Sequence, residues 1–178
     1  KIVVDSAQGA AYQVAPRVFW ELGADVISIC DEPNGLNINL DCGATSGDTL
    51  KDAVIKHRAD LGIALDGDAD RVLMVDEKGD FVDGDRVIAA IAQSWHSKGN
   101  VTGDGVVGTI MSNFAAQKYI ESLGLEFVRS NVGDRYVVES MRKGGFNVGG
   151  EQSGHVILND YVTTGDGIIA ALQILAVL

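Results

Sequence analysis

Short apolar runs alternate with longer stretches of helical spacing along this chain. Lys1-Ile2-Val3-Val4 reads as a strand. The turn Asp5-Ser6-Ala7-Gln8-Gly9-Ala10 leads to a helix ending near Leu22, with Gly23 as its C-terminal cap. Val26–Ile29 is apolar enough for a second strand, followed by an Asn- and Gly-rich loop over residues 31–47. Asp48 is placed to cap a helix running to about Arg58. Leu61-Gly62-Ile63-Ala64-Leu65 predicts a third strand. Val72-Leu73-Met74-Val75 predicts a fourth, stopped by the turn Asp76-Glu77-Lys78-Gly79-Asp80. Asp83-Gly84-Asp85 opens a helix over 86–98, where Val87, Ile88, Ile91 and Trp95 share one face, so Trp95 is expected in a core.

The pattern then restarts. Strands are expected at Val106-Val107-Gly108-Thr109, Glu126-Phe127-Val128, Asn147-Val148 and Val156-Ile157-Leu158. Helices are expected from Ser112 or Asn113 to about Leu123, and from Asp134 to about Lys143. Leu22-Gly23-Ala24-Asp25-Val26 and Leu123-Gly124-Leu125-Glu126-Phe127 both read as helix end, glycine cap and strand start. In each half the third strand runs into a conspicuous polar loop. This predicts two tandem, similar α/β domains, each a mixed sheet flanked by helices, with one loop apiece facing a shared cleft. Gly99-Asn100 looks like the hinge, giving domains over 1–99 and 100–178. The chain starts inside a strand and ends within the apolar run 168–178, so it reads as the middle of a longer polypeptide.

The densest chemistry lies at Leu65-Asp66-Gly67-Asp68-Ala69-Asp70-Arg71. Three carboxylates at alternate positions follow an apolar strand, and a tight loop containing Gly67 and Ala69 folds them toward one point. Carboxylates that close repel unless a cation sits among them. All-oxygen donors suit Mg²⁺ or Ca²⁺ better than zinc. Arg71 stands ready for an anion beside that cation, which is equipment for a phosphate. A bare acidic surface turn is the plainer alternative, but the strict spacing after a buried strand disfavours it. A calcium EF-hand loop counted from Asp66 matches at Asp68, Asp70 and Glu77, yet puts Arg71 where glycine is required, and its flanks read as strands. A phosphatase with an Asp nucleophile usually needs a hydroxyl residue close behind the second Asp, where this chain has Asp70-Arg71.

The bulk composition narrows the partners. The chain has 178 residues with 22 Gly and 2 Pro, so its turns rely on glycine. A formal charge of −11 argues against non-specific nucleic-acid binding and against an anionic membrane surface. No apolar stretch approaches the ~20 residues a membrane span needs. Cys30 and Cys42 lack CxxC spacing and read as reduced structural thiols of a cytoplasmic protein.

The second polar loop, Gly149-Gly150-Glu151-Gln152-Ser153-Gly154-His155, packs glycines around a carboxylate, a hydroxyl and an imidazole. Glycines let backbone approach a ligand, and Glu151 with Ser153 suits vicinal sugar hydroxyls or an amine. The plainer alternative is a polar hairpin turn, and a lone His155 is more often structural. Together the two loops resemble those of the α-D-phosphohexomutase superfamily, in which the first binds metal and the second binds sugar. The resemblance spans essentially the whole chain and covers that family's second and third domains. Gly35-Leu36-Asn37-Ile38-Asn39, Cys42-Gly43, Val132-Gly133-Asp134-Arg135-Tyr136-Val137 and Gln152 look most like the bacterial branch acting on glucosamine phosphate. The chain departs from the family's usual pattern at Ser6, Gln8 and Ala44-Thr45-Ser46, none of them in either loop.

The resemblance implies interconversion of glucosamine 6-phosphate and glucosamine 1-phosphate through a phosphoserine and a bisphosphorylated sugar. It makes Asp66, Asp68 and Asp70 ligands of Mg²⁺ and gives Arg71 a catalytic place at the phosphate. Glu151, Ser153, His155 and Arg135 become candidates for the substrate, with Arg135 equally suited to an ion pair on its helix. The family's phosphoserine loop and main phosphate-binding loop lie in first and fourth domains absent from this stretch. The isolated chain is therefore expected not to turn over substrate. A mutase for glucose or mannose phosphates, and a non-catalytic sugar-phosphate or metal-binding module, remain the alternatives.

Overall fold

The computed structural model describes residues 1–177, and the chain divides into two compact units, Lys1–Val82 and Asp83–Leu178. In the first, strands β1 (Ile2–Asp5), β2 (Val26–Ile29), β3 (Leu61–Leu65), β4 (Val72–Asp76) and β5 (Phe81–Val82) form one sheet in the order β2-β1-β3-β4-β5. β2, β1 and β3 run parallel, β4 pairs antiparallel with β3, and β5 pairs antiparallel with β4. Helices α1 (Val14–Glu21) and α2 (Asp48–His57) complete the unit. Every residue of β1 and β3 is buried, as expected of parallel strands covered on both faces. α2 turns Leu50 and Val54 onto the sheet, where they form a core with Val3, Ala59, Ala64 and Val75. The fit is close: a Cβ on Gly62 of β3 would lie 2.6 Å from Val54 Cγ2.

The second unit repeats the plan. α3 (Gly84–Ser97) precedes β6 (Gly105–Thr109), α4 (Phe114–Ser122), β7 (Glu126–Ser130), α5 (Asp134–Gly144), β8 (Val148–Gly150), β9 (Val156–Leu158) and α6 (Gly167–Leu175). The sheet order is β7-β6-β8-β9, with β7, β6 and β8 parallel and β9 antiparallel. This is the order of β2-β1-β3-β4 again, which bears out the expected pair of similar mixed-sheet domains. Successive strand residues face opposite sides. A Cβ on Gly149 would meet Met141 of α5, and one on Gly150 would meet Ile88 of α3, so the two helices cover opposite faces. The apolar tail folds as α6 to Leu175, and Leu178 lies outside the described residues.

The division between the units differs from the expected one. It falls between Val82 and Asp83, not at Gly99-Asn100. α3 therefore opens the second unit, where Trp95 Nε1 donates to Gln173 Oε1 at 3.1 Å and the indole meets Tyr161 edge-on. The partners of its apolar stripe lie downstream, beyond the reach of local periodicity. Gly99, with φ 70° and its N–H bonded to His96 O, is the cap that ends α3 and not a hinge.

Candidate functional site

In the first unit, the loop over residues 66–71 closes the β3–β4 hairpin, whose ladder ends at the pair Leu65 and Val72. The Asp66 carbonyl accepts from Ala69 N at 3.1 Å, and Ala69 sits in the left-handed region at φ 63°. That turn brings one oxygen each of Asp66, Asp68 and Asp70 within 4.8 Å of one another. Asp66 is buried, Asp70 half-buried and Asp68 exposed. Burial above all raises the Asp66 carboxyl above its ordinary range. The Arg71 N–H bond to Asp66 Oδ1, 3.2 Å long, opposes that rise, and the Asp70 and Asp68 charges add to it. Arg71 Nε lies 3.7 Å from Asp66 Oδ2 and 3.8 Å from Asp70 Oδ1, buried but without a hydrogen bond.

This donor set fits a small hard cation. Every donor is a carboxylate oxygen, the three like charges converge, and one is largely stripped of water. The loop is held from beneath: Ala10 N donates to Gly67 O at 2.8 Å. A Cβ on Gly9 would come within 2.4 Å of that same oxygen, so the backbones approach as only glycine allows.

In the second unit, the loop over residues 151–155 occupies the equivalent station, between the third strand β8 and the antiparallel fourth, β9. Glu151 N donates to His155 O and Gly154 N to Glu151 O, both at 3.0 Å, which tightens the turn. Glu151 Oε1 accepts from Gly133 N at 2.9 Å. Gly84, at the start of α3, donates its N–H to Gln152 O at 3.0 Å. A Cβ on Gly84 would fall 2.1 Å from Glu151 O, so this helix start can carry no side chain. A cavity of about 410 Å³ opens over the loop, lined by Asp83, Thr109, Met111, Val132, Glu151, Gln152 and Ser153.

The anticipated residues thus fall into groups. Asp66, Asp68, Asp70 and Arg71 cluster in the first unit, and Glu151 and Ser153 share one cavity in the second. His155 is 4% exposed and does not line that cavity. Its Nε2 accepts from Gly165 N at 3.2 Å, which places the proton of a neutral ring on Nδ1 and fits a role in bracing the loop. Arg135 lines a different cavity of about 470 Å³, with Glu139, Arg142 and Lys143. Asp83, Thr109, Met111 and Val132 were not anticipated from sequence. Thr109 carried a signal in ending β6, since ligands of open α/β sheets gather at the carboxyl ends of strands, and Val132 carried one as part of the segment that resembles the family.

Comparison with known proteins accounts for both units. Residues 1–79 match the family model "Phosphoglucomutase/phosphomannomutase, alpha/beta/alpha domain II", and residues 83–178 match domain III of the same family. The phosphoglucosamine mutase of Parvibaculum lavamentivorans is 58% identical over 178 residues, all of this chain and 40% of that protein. That of Granulibacter bethesdensis is 62% identical over the same length, 39% of its own. The chain thus spans about 40% of the length of the curated relatives it matches. Among solved structures, a phosphoglucomutase/phosphomannomutase family protein of Burkholderia thailandensis superposes with TM-score 0.86 at 25% identity, over 99% of this chain and 39% of that one. An Aspergillus fumigatus N-acetylphosphoglucosamine mutase, in complex with GlcNAc-6P and magnesium, gives 0.76 at 25% identity, over 99% of this chain and 42% of that one. Repeated topology, loops at matching stations and both domain matches agree: the chain belongs to the phosphoglucomutase/phosphomannomutase family and comprises its second and third α/β/α domains.

Proposed function

We propose that the whole protein interconverts glucosamine 6-phosphate and glucosamine 1-phosphate, as an intramolecular phosphotransferase supplying amino-sugar precursors for cell-wall synthesis. The observation that carries the phosphoryl-transfer reading is the convergence of Asp66, Asp68 and Asp70 beside Arg71. The relatives at about 60% identity, named phosphoglucosamine mutase, support the substrate. In this reading the three Asp residues hold Mg²⁺, which when bound offsets charge on the transferring phosphoryl group. Asp66 has the least access to water of the three and is itself held by the Arg71 N–H bond to its Oδ1. Arg71 is poised by its two carboxylate neighbours to orient a phosphate oxygen.

Glu151 and Ser153 receive the sugar. Gly133 N and the turn hydrogen bonds hold Glu151 in place, so its carboxylate is pre-positioned to accept from sugar hydroxyls or the amine. The bisphosphorylated sugar must present each end in turn, so the loop has to tolerate two orientations. A carboxylate and a rotatable hydroxyl meet that demand. Arg135, in its separate cavity, is assigned to a phosphate of the substrate, with an ion pair on its own helix as the alternative. The phosphoserine that donates the phosphoryl group is assigned to a domain outside this stretch, and the isolated chain to an inactive state. No helix among the described residues is long and apolar enough to cross a membrane, and the reading places the enzyme in the cytoplasm.

The family's own description favours a second substrate set, glucose and mannose phosphates. The test is turnover by the full-length protein with Mg²⁺ on glucosamine, glucose and mannose 1-phosphates. A higher kcat/KM for the glucosamine substrate supports the proposal. A preference for either other sugar keeps the loops and overturns the substrate. No turnover by folded, serine-phosphorylated protein leaves a binding module.

A further inference from the structure

Asp5 ends β1, and Cys30 follows the last residue of β2, its parallel neighbour. Cys42 arrives from the far end of the loop over residues 31–41. One ligand atom from each of Asp5, Cys30 and Cys42 lies within 4.8 Å of the others. Asp5 is fully buried, Cys42 is 2% exposed and Cys30 is half-buried. Both cysteines are free thiols. None of these residues belongs to the carboxylate loop or the sugar loop, and the proposed reaction uses none of them.

We propose that Asp5, Cys30 and Cys42 form a binding site for a soft or borderline divalent metal ion, of which Zn²⁺ is the type. The donor set is two thiols and one carboxylate, which selects against Mg²⁺ and for zinc-like ions. Tetrahedral coordination with metal–sulfur and metal–oxygen bonds of about 2.3 and 2.1 Å puts donors on the order of 3.6–3.8 Å apart. The three donors lie within 4.8 Å of one another and would close onto the ion to reach that spacing.

The carboxylate is fixed before any ion arrives. Ala7 N donates to Asp5 Oδ1 at 2.8 Å, and Gly43 N donates to Oδ2 at 2.9 Å. Each oxygen keeps a further lone pair, so the backbone donors act as the outer partners that orient a ligating carboxylate. Cys30 has φ 50°, and Asp41, next to Cys42, has φ 53°. These left-handed residues stand where the two segments present their thiols. The half-buried Cys30 supplies a route in for an ion. A bound ion would also join both ends of the loop over 31–41, whose Leu36 is 92% exposed. Three donors leave a fourth position for water, as in zinc sites with an open coordination place.

The test is a Co²⁺ titration of the fully reduced protein, read by the thiolate-to-cobalt charge-transfer absorption. The expected result is one equivalent of Co²⁺ bound with that band, displaced by Zn²⁺ and untouched by Mg²⁺. Cys30→Ser and Cys42→Ser each lose the band, and Asp68→Ala keeps it, separating this site from the carboxylate loop. Should Cys42→Ser fail to fold, thiol alkylation of the wild type gives an independent readout. Zn²⁺ at ten times its Kd leaves about one site in eleven free, so alkylation slows about tenfold, whereas Mg²⁺ has no effect. Absence of the thiolate band, or alkylation that ignores Zn²⁺, overturns the proposal. A Cys30–Cys42 disulfide formed by oxidant in protein that shows no cobalt band overturns it too.

Discussion

Asp68 separates the roles of fold and function most cleanly at the scale of the residue. It is exposed and close to two other carboxylates, so it contributes repulsion and little packing. Asp68→Ala should leave metal-free stability equal or slightly raised while weakening Mg²⁺ binding on the order of a hundredfold, the loss expected for a close charge partner. Titration calorimetry and thermal melts of the two proteins check both halves. Asp66 would fail as a probe, because its burial and its bond from Arg71 N make it structural as well. The residues of the carboxylate loop were legible in the sequence because the motif is contiguous, six positions on one turn. Glu151 and Ser153 were legible for the same reason. His155 keeps the same two-residue spacing, and the plainer structural reading of a lone histidine holds for it: it is buried, with Nε2 accepting from Gly165 N. The Asp5, Cys30 and Cys42 cluster was illegible, since β1–β2 pairing brings Asp5 to Cys30 while a loop hydrogen bond from Gly43 N to Asp5 brings in Cys42.

Among the elements, α3 decides how the loop over residues 151–155 is supported. Asp83 caps it by accepting from Arg86 N at 3.1 Å, and Gly84 lets it run directly against the loop backbone. Within the first turn, Asp85 Oδ2 accepts from Asn113 N at 2.6 Å and so ties α3 to the start of α4. Burial holds the Asp85 carboxyl above its ordinary range, against the lowering effect of the Asn113 bond. The sign follows from linkage. A carboxyl with a raised pKa binds its proton more tightly in the folded state, so its penalty is absent at low pH. The penalty grows as pH climbs from the unfolded value through the folded one. Asp85→Asn keeps an acceptor and removes the charge. The stability of wild type relative to Asp85→Asn should therefore fall as pH rises from about 3 to about 7, as denaturant melts across that range will show. A wild type that gains on the variant over that range contradicts the assignment. Apolar spacing marked α3, α4, α5 and every strand of three residues or more to within a few positions. It missed β5, because the two residues Phe81 and Val82 are too few to carry a period.

Over the whole molecule, the two units repeat one strand order and place one loop each at the same step of it. The boundary between them was the part of the architecture that sequence misplaced, because the stripe on α3 states that the helix is buried but not against what. Cutting the chain after residue 82 should give pieces that fold separately. A cut after residue 99 should strand Val87, Ile88, Ile91 and Trp95, all buried in the intact chain. That removes several kcal/mol of apolar burial from the second unit, at about 1.5–3 kcal/mol for each large side chain. Cooperative melting of the 83–178 piece, and its loss from the 100–178 piece, is the expected pair of results. The proposed function assigns phosphoryl transfer to the carboxylate loop and sugar binding to the Glu151 loop. The most direct measurement is steady-state turnover of glucosamine 1-phosphate by the full-length protein, its Asp68→Ala variant and its Glu151→Ala variant, over a range of Mg²⁺ and substrate. The expected result is that Asp68→Ala collapses kcat with partial recovery at high Mg²⁺, whereas Glu151→Ala raises KM at every Mg²⁺ concentration. Full turnover by Asp68→Ala at low Mg²⁺ would contradict it.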